Sequence, residues 1–322
     1  MENILNITNG DCAVEVMKKA EIPGVFLPWR DVLHDGPVPQ GLSLEALSQV
    51  RTKFIISRGW GTPEKIEKSF IDRDRILKSC EEFERVILWF EHDLYDQLQT
   101  LQILDWFHEQ NKNGINISLI CTDKYLGPLS PAEMSGLIKY EKPVTEEHLL
   151  LSSKAWSAFR LNSPEEWYRL LNTDTTALPF LEGAIIRLLE EYPSTDNGLS
   201  RTAQQALKII AEGETLPGKI FGHSQELEDR MFLGDSSFWV ILQELLDSSP
   251  ALLALSQGKK LSLPVTKGQE LTITSHGLDV LAGRRNWLEI STLDRWLGGV
   301  HLQANNVWRW NSDSGSIVRG LE

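Results

Sequence analysis

Residues 86–97 read VILWFEHDLYDQ, and this stretch decides the predicted fold. Its first five residues are all apolar, as in a central strand that is buried on both faces of a parallel sheet. Polar side chains follow at once, and Leu98, Leu101 and Leu104 then restore the apolar spacing of a helix. The segment therefore predicts a β-strand, a polar turn and a helix in direct succession.

Three other apolar stretches also run into an acidic residue at their carboxyl end. They read ILNITNGD ending at Asp11, GVFLPWRD ending at Asp31 and ISLICTD ending at Asp123. The carboxyl ends of parallel strands gather along one edge of an open sheet, where ligands bind. We therefore expect these three acids and Asp93 to lie along one crevice.

The patterning of the 322-residue chain predicts three parts. Residues 1–130 alternate strand-like runs with helical spacing, which predicts an N-terminal, parallel-sheet, Rossmann-like α/β domain. Residues 131–192 have a helical pattern throughout, and with the connector at residues 193–198 they are predicted to form a helical linker segment over residues 131–198. Residues 199–322 are predicted to form a winged-helix-like domain with three helices, a β-ribbon, a further helix and a tryptophan-rich tail.

Composition and charge exclude several classes of protein. Hydrophobic residues make up 41% and charged residues 24% of the chain, which is ordinary globular composition. The net charge of −13 argues against a general nucleic-acid or anionic-membrane binder, because such binders need a positive face. The cysteines form no Cys-x-x-Cys pair, no signal segment opens the chain, and no apolar run approaches ~20 residues. We therefore expect a cytoplasmic protein that does not enter a membrane.

The predicted winged-helix-like domain lacks the basic surface of a DNA reader. Its third helix, from Ser236 to Leu246, contains no basic residue, whereas DNA-reading helices carry Arg, Lys or Asn. Lys259, Lys260 and Lys267 in the predicted wing are the support for DNA binding. The pattern favours a protein-docking or structural role, and it leaves DNA binding and homo-oligomerisation open.

The segment from Glu91 to Gln97 is the densest group of candidate functional side chains. His92 lies beside several carboxylates and is expected to have a raised pKa, which suits acid–base catalysis near neutral pH. Glu91, Asp93 and Asp96 are the other candidate catalytic residues. Gln97 is a candidate for substrate binding. A structural alternative makes Asp93 a helix N-cap and Asp96 its N3 partner, but it leaves His92 and Gln97 unexplained.

Two strand-to-helix loops supply further candidates for substrate binding. The loop after the second strand holds Arg30, Asp31 and His34, and Arg30 is the candidate contact for an anion. Asp11 lies in the first strand-to-helix turn, where a dinucleotide-binding fingerprint has three glycines and this chain has one. An acid at that helix N-terminus also repels phosphate, so dinucleotide binding is disfavoured. The structural alternatives are an ion-paired surface loop around Arg30 and an N-cap role for Asp11.

The tail adds two candidates, Arg295 and His301, on either side of Gly298-Gly299. Two glycines permit a close approach of the backbone to a neighbour or a turn with positive φ. One expectation is a tryptophan-rich clasp that packs the end of the chain. The other is a tail that carries Arg295 and His301 over the crevice of the first domain and completes it.

Four motifs in the first domain point to one family. They are NGD at residues 9–11, WRD at residues 29–31, GP at residues 36–37 and LWFEHDLYDQL at residues 88–98. Together they resemble a bacterial family catalogued as domain of unknown function 1835, over roughly residues 3–130. The resemblance implies the boundary of the first domain and the motif residues that matter in it. It implies no activity, because the family has none assigned.

The leading functional prediction is an enzyme, a hydrolase or transferase that acts on a small polar substrate at the carboxyl edge of the sheet. No Gly-x-Ser-x-Gly elbow or Walker A loop is present, and the cofactor is unknown. A divalent metal is an open alternative, since carboxylates and histidine suit Mg²⁺, Mn²⁺ or Zn²⁺. The rival prediction is a non-enzymatic regulator whose ligand-sensing α/β domain is coupled to a winged-helix-like domain that binds DNA or a partner protein.

Overall fold

A computed structural model describes residues 3–110, 114–258, 260–262, 265 and 268–320. The described residues form twelve helices and twelve strands, joined by loops and short 3-10 turns. The chain divides into two compact units. The first unit extends to Ile185 and includes Gly298–Val300, and the second comprises Ile186–Leu297 and the chain from His301 onward.

The first unit is built on a five-stranded sheet with the order β2-β1-β4-β5-β6. The first four of these strands are parallel, and β6 runs antiparallel to β5. The mixed α/β class and the four strands predicted from apolar runs are confirmed. The strands of the unit, including a short β3 outside this sheet, are β1 (Ile4–Thr8), β2 (Val25–Pro28), β3 (Gly36–Pro37), β4 (Arg85–Phe90), β5 (Asn116–Cys121) and β6 (Lys142–Pro143).

Eight helices follow the strands, and several begin at residues that satisfy their first N–H groups. The hydroxyl of Ser43 accepts from the N–H of Ala46 at the start of α2, and Ser130 with Glu133 forms a capping box at the start of α5. The helices are α1 (Asp11–Lys19), α2 (Leu44–Ser57), α3 (Pro63–Lys78), α4 (Leu94–Glu109), α5 (Pro131–Gly136), α6 (Glu146–Phe159), α7 (Glu165–Arg169) and α8 (Leu181–Leu189).

The core of the first unit forms around the two central strands. On one face, Met17 of α1 and Met134 of α5 pack with Trp89 of β4 and Ile120 of β5. Helix α4 is buried from Leu94 to Trp106 apart from Tyr95, and α6 packs against it. A helix that is buried nearly all round is held in place by packing, so its first turn is a rigid support for functional side chains.

The glycine pair of the tail makes the close approach that the sequence predicts. Gly298 has φ +60°, and its carbonyl accepts from the N–H of Val38 at 2.7 Å. The N–H of Gly299 donates to the carbonyl of Phe159 at 3.0 Å. A Cβ atom on Gly299 would lie 1.9 Å from the carbonyl oxygen of Arg160, so this position accepts only glycine.

The second unit combines helices with three small β-pairings. Its elements are α9 (Arg201–Ala211), α10 (Pro217–Glu226), α11 (Asp235–Asp247), α12 (Ser275–Leu281), β7 (Leu253–Leu255), β8 (Leu271–Ile273), β9 (Asp294–Gly298), β10 (Val300–Gln303), β11 (Trp308–Asn311) and β12 (Ser316–Arg319). Helices α10 and α11 pack against α9. Strands β7 and β8 pair antiparallel, β11 pairs antiparallel with β12, and β9 pairs with β10.

Two lysines of the predicted wing, Lys259 and Lys267, lie outside the described residues, whereas Lys260 lies within them. Within the described parts of the chain, no helix is both long enough and apolar enough to cross a bilayer.

Candidate active site at the carboxyl edge of the sheet

The order of the strands reverses at β1 and β4, which lie side by side in the sheet. From β1 the chain first adds β2 on one side and later returns to add β4 on the other, with Thr8 paired to Trp89 at their carboxyl ends. Open α/β sheets bind ligands at the point where the strand order reverses, outside the carboxyl ends of the strands. Asn9 and Glu91 are the first residues beyond the two strands.

Three buried carboxyl groups meet at this point. Glu91, Asp93 and Asp96 are 6%, 3% and 1% exposed, respectively. Each offers one carboxylate oxygen, and the three oxygens lie within 4.8 Å of one another. The predicted grouping of these three residues is therefore present, and we call it the carboxyl cluster.

The first turn of α4 explains how the cluster is held. Asp93 is the N-cap of the helix, and its Oδ1 accepts from the N–H groups of Tyr95 at 2.9 Å and Asp96 at 3.3 Å. Oδ1 of Asp96 accepts from the N–H of Glu91 at 3.1 Å, which folds the turn back on itself. Gln97 donates to the carbonyl of Glu91 at 2.7 Å and so fixes the same turn. The capping alternative is thus correct for Asp93, but it accounts for only one of its two oxygens.

Residues from other strands complete the cluster. The side-chain amide of Asn9 donates to Oε1 of Glu91 at 2.8 Å and to Oδ2 of Asp96 at 3.0 Å. The N–H of Leu126, beyond β5, donates to the same Oε1 of Glu91 at 2.7 Å. Three successive strands of the sheet, β1, β4 and β5, thereby contribute to one site.

The pKa values of all three carboxyls are raised. Burial, and then the charge of Glu91, raises the pKa of Asp93 from 3.8 to about 8. Burial is also the main cause for Asp96, whose pKa lies well above its ordinary value, with repulsion from Asp93 next. Burial raises the pKa of Glu91 despite the hydrogen bonds that it accepts. Asp93 and Asp96 resist ionisation because both burial and the charges of neighbouring carboxylates oppose a further negative charge, whereas burial alone raises the pKa of Glu91.

A proton is one way to neutralise this cluster. Carboxylate oxygens of Glu91, Asp93 and Asp96 lie within 4.8 Å of one another, and a proton on one of these groups removes part of the repulsion between them. Asp93 has the pKa to carry it at neutral pH. The same three oxygens could instead share a divalent cation, which prefers oxygen ligands. The cation stays an open prediction.

The ring of His92 lies beside two aromatic side chains, those of Tyr125 and Phe180. The ring lies 5.1 Å from that of Tyr125 and 5.8 Å from that of Phe180, measured between centroids, and the residue is 8% exposed. The predicted role of His92 in acid–base catalysis stays a prediction.

Arg30 and Asp11 form an exposed pair on two loops at the same edge of the sheet. The guanidinium donates to both carboxylate oxygens of Asp11, at 2.6 and 2.7 Å, and the hydrogen bond lowers the pKa of that carboxyl. Arg30 has φ +59°, a strained conformation for a residue with a side chain, at a cost of about 1–3 kcal/mol. Its N–H donates to the carbonyl of Asn9 at 3.1 Å, which joins this loop to the residue that braces the carboxyl cluster.

Asp31 lies apart from the cluster in a buried ion group. It is fully buried and accepts from Nε of Arg51 at 2.9 Å, and Nη1 of Arg73 lies 3.8 Å from its second oxygen. Its backbone carbonyl accepts from Gln99 of α4 at 2.9 Å. These contacts anchor the loop after β2 to helices α2, α3 and α4. His34 of the same loop is buried with its ring 5.9 Å from the ring of Tyr95.

The tail candidates have partners within the second unit. Arg295 donates to the carboxylate of Glu191 at 2.9 Å. The ring of His301 stacks on Trp296 at 4.2 Å, and its Nε2 lies 2.6 Å from a carboxylate oxygen of Asp294. A role for Arg295 and His301 in the crevice stays a prediction.

Sequence reasoning assigned no site role to Asn9, Tyr125 or Phe180, although Asn9 belongs to the NGD motif at residues 9–11. Asn9 had a usable signal, because it is the first residue after β1 and carries an amide at a strand end that borders β4. Tyr125 and Phe180 reach His92 from loops whose path the local pattern does not encode.

Comparison with known proteins adds no relative. The chain matches no model of a known protein family, and a search of curated proteins found no significant match.

Proposed function

We propose that this chain is an enzyme, a hydrolase or transferase that acts on a small polar substrate at the carboxyl edge of the first unit's sheet. The observation that carries the proposal is the carboxyl cluster of Glu91, Asp93 and Asp96 at the point where the strand order reverses. Burying three mutually repelling carboxyls destabilises a fold, because each must lose its water or its charge. Groups with pKa values perturbed in this way concentrate at functional sites.

The cluster provides a proton donor and a proton acceptor side by side. In the proposed reaction, protonated Asp93 gives its proton to the departing atom of the substrate, while ionised Glu91 takes a proton from the attacking water or hydroxyl. Carboxyls whose environments separate their protonation states are suited to such paired roles. We assign His92 as a further acid or base beside them, and Arg30 as the contact for an anionic group of the substrate.

Variants of two site residues test this function with an extract of small metabolites as the substrate pool. The wild-type protein is expected to deplete at least one compound, as followed by mass spectrometry. His92→Ala and Asp93→Ala are expected to slow that depletion by ~100-fold or more, the usual contribution of an acid–base group.

Asp123→Ala is the matched control, because Asp123 is an exposed acid at the end of β5 and lies outside the cluster. It is expected to retain the wild-type rate. An unchanged metabolite pool with the wild-type protein, or equal depletion by Asp93→Ala and the wild type, would count against an enzyme.

A finer description of the two units belongs to the same proposal. We propose that the first unit is Rossmann-like and that residues 199–283 are winged-helix-like, since α9, α10 and α11 are followed by the β7–β8 hairpin and α12. This succession also favours a second candidate function, a cytoplasmic regulator whose second unit binds DNA or a protein. Salt-sensitive binding in a gel-shift assay that Lys260→Glu weakens would support the DNA-binding form of that candidate.

A further inference from the structure

An open groove runs between α2 and α3, two helices of the first unit that pack side by side. It has a volume of about 640 Å³, and its apolar lining consists of Ile56 on α2 with Phe70 and Ile71 on α3. Ile71 is 65% exposed, the highest value for a large apolar side chain in the described parts of the chain. Apolar side chains grouped along an open groove mark a site of interaction, unlike single ones scattered over a surface. We call this feature the α2–α3 groove.

Charges of both signs line the α2–α3 groove in equal number: Glu45 and Lys53 on α2, and Glu67, Asp74, Arg75 and Lys78 on α3. Four of these residues have ion-pair partners within the chain, in the pairs Glu45–Lys78, Arg73–Asp74 and Asp72–Arg75. Lys53 and Glu67 differ, because among the described residues neither has an ion pair or a side-chain hydrogen bond. One charge of each sign, on opposite walls of the groove, is therefore available to a partner.

The ion pair between Glu45 and Lys78 shows how the two walls are aligned. It joins the first turn of α2 to the last turn of α3, so the two helices run antiparallel. From this pair, Lys53 lies about 12 Å along α2 and Glu67 about 16 Å along α3, at 1.5 Å per residue. The two free charges thus lie at nearly the same level, towards the other end of the groove. A rotation of 180° about an axis along the groove places Lys53 of each copy opposite Glu67 of the other.

We propose that α2 and α3 form the interface of a symmetric dimer, in which a second copy of this chain covers the groove and the four helices make a bundle. Each helix in that bundle is antiparallel to both of its neighbours, as in bundles with short connections. The matched charges select a copy of the same chain, because each wall supplies the charge that the other lacks.

The size of the face sets the expected strength of this dimer. The α2 wall from Glu45 to Ile56 is about 16 Å long. A face of that length and two helices wide is small beside the roughly 800 Å² per partner of a standard interface. We therefore expect a dissociation constant in the micromolar range. None of the groove residues belongs to the carboxyl cluster, so the metabolite assay tests the proposed function separately.

Sedimentation of the full chain between about 1 and 200 µM tests the proposal, and the wild type should pass from monomer to dimer in this range. Ile71→Glu should raise the dissociation constant at least about tenfold, because it places an unpaired charge in the interface. Leu150→Glu is the matched control. Leu150 is an apolar residue of α6 that is 52% exposed and lies outside the groove, so this variant should dimerise like the wild type.

Charge reversal tests the symmetry of the interface. Lys53→Glu alone and Glu67→Lys alone should each weaken the dimer about tenfold, because each then places like charges opposite each other twice. An equimolar mixture of the two variants should dimerise like the wild type, since both contacts in the mixed dimer join opposite charges. The substituted side chains are all exposed, so the variants should fold like the wild type.

Three results would overturn the proposal. They are a wild-type chain that stays monomeric over the whole range, an Ile71→Glu variant that dimerises like the wild type, and a mixture of Lys53→Glu and Glu67→Lys that associates no better than its components. The first result would leave the groove to a different occupant, and the other two would place the dimer interface elsewhere or in another alignment.

Discussion

Asp93→Asn is expected to stabilise the first unit above about pH 8 while it abolishes the proposed activity. Asparagine has nearly the same shape as a protonated aspartic acid. Its carbonyl can cap α4 as Oδ1 of Asp93 does, and its NH₂ group is a donor like the hydroxyl of a protonated acid. The variant therefore keeps the geometry around a protonated Asp93, but it has no acidic proton to give.

The pH dependence of this effect follows from the raised pKa of Asp93. Between its ordinary value of 3.8 and about 8, the folded protein holds a proton that the unfolded chain has released. The stability due to this proton is therefore complete below pH 3.8 and is lost as pH rises to about 8. The asparagine side chain of Asp93→Asn does not titrate, so the stability of this variant does not fall over this pH range. Its advantage over wild type should therefore grow by about 1.4 kcal/mol per pH unit between pH 5 and about pH 8, which is about 4 kcal/mol in all.

Hydrogen exchange of the β4 and α4 amides measures this gain. The factor by which the variant exchanges more slowly than wild type should be at least about a hundredfold larger at pH 9 than at pH 5. Asp123→Asn is the control and should match wild type at both values, because its side chain is exposed. An Asp93→Asn variant that is less stable than wild type at pH 9 would contradict the claim that the folded protein holds a proton on the carboxyl of Asp93.

Glu191→Gln is expected to produce the largest loss of stability in the second unit. Glu191 is 3% exposed and accepts from Arg187 at 2.8 Å and from Arg295 at 2.9 Å. Burial alone would raise its pKa, but the charges of the two arginines outweigh burial and lower the pKa to about 2. Arg187 keeps its pair with Glu228 at 2.8 Å in this variant, whereas Arg295 loses the carboxylate of Glu191. Breaking a buried ion pair by removing one partner typically costs about 3–5 kcal/mol.

The amides of α9 report this loss, because Thr202 on that helix also donates to Glu191. Exchange there should be at least about a hundredfold faster in Glu191→Gln at pH 7. A depressed carboxyl stabilises above the unfolded pKa of about 4.5, and this contribution disappears as pH falls towards 2. The difference between variant and wild type should therefore shrink in acid.

Glu190→Gln is the matched control for Glu191→Gln. Glu190 is the neighbouring residue and pairs with Arg201 at 2.7 Å, with its side chain 22% exposed. A partly solvated pair contributes about 1 kcal/mol or less. Equal losses of stability in the two variants would show that the burial of Glu191 does not increase its contribution to stability.

Local sequence signals predicted the frame of the first unit because that frame depends on short-range patterns. The apolar run before Glu91 and the polar turn after it define β4 and the start of α4, and both are present. The parallel arrangement follows from alternating strands and helices. Because the strands are parallel, their carboxyl ends must meet at one edge of the sheet.

The remaining parts of the site depend on partners that are distant in sequence. Asp31 looked like an active-site acid because it ends a strand, but Arg51 and Arg73 enclose it from helices 20 and more residues away. Asn9 reaches Glu91 across 82 residues. The position of an acid at the end of a strand does not reveal its partner. Whether the acid faces the crevice or a buried arginine depends on which helix packs beside it.

The most direct test of the carboxyl cluster is infrared spectroscopy of protein with isotope-labelled aspartate carboxyls. At pH 7 the wild-type spectrum should contain the C=O stretch of a protonated aspartic acid, and this band should fade with a midpoint at about pH 8. The component of the band that fades with a midpoint at about pH 8 should be missing from Asp93→Asn and kept in Asp123→Asn. A wild-type spectrum with only ionised aspartates at pH 7, or a component with this midpoint that survives in Asp93→Asn, would contradict an acid–base site built on Asp93.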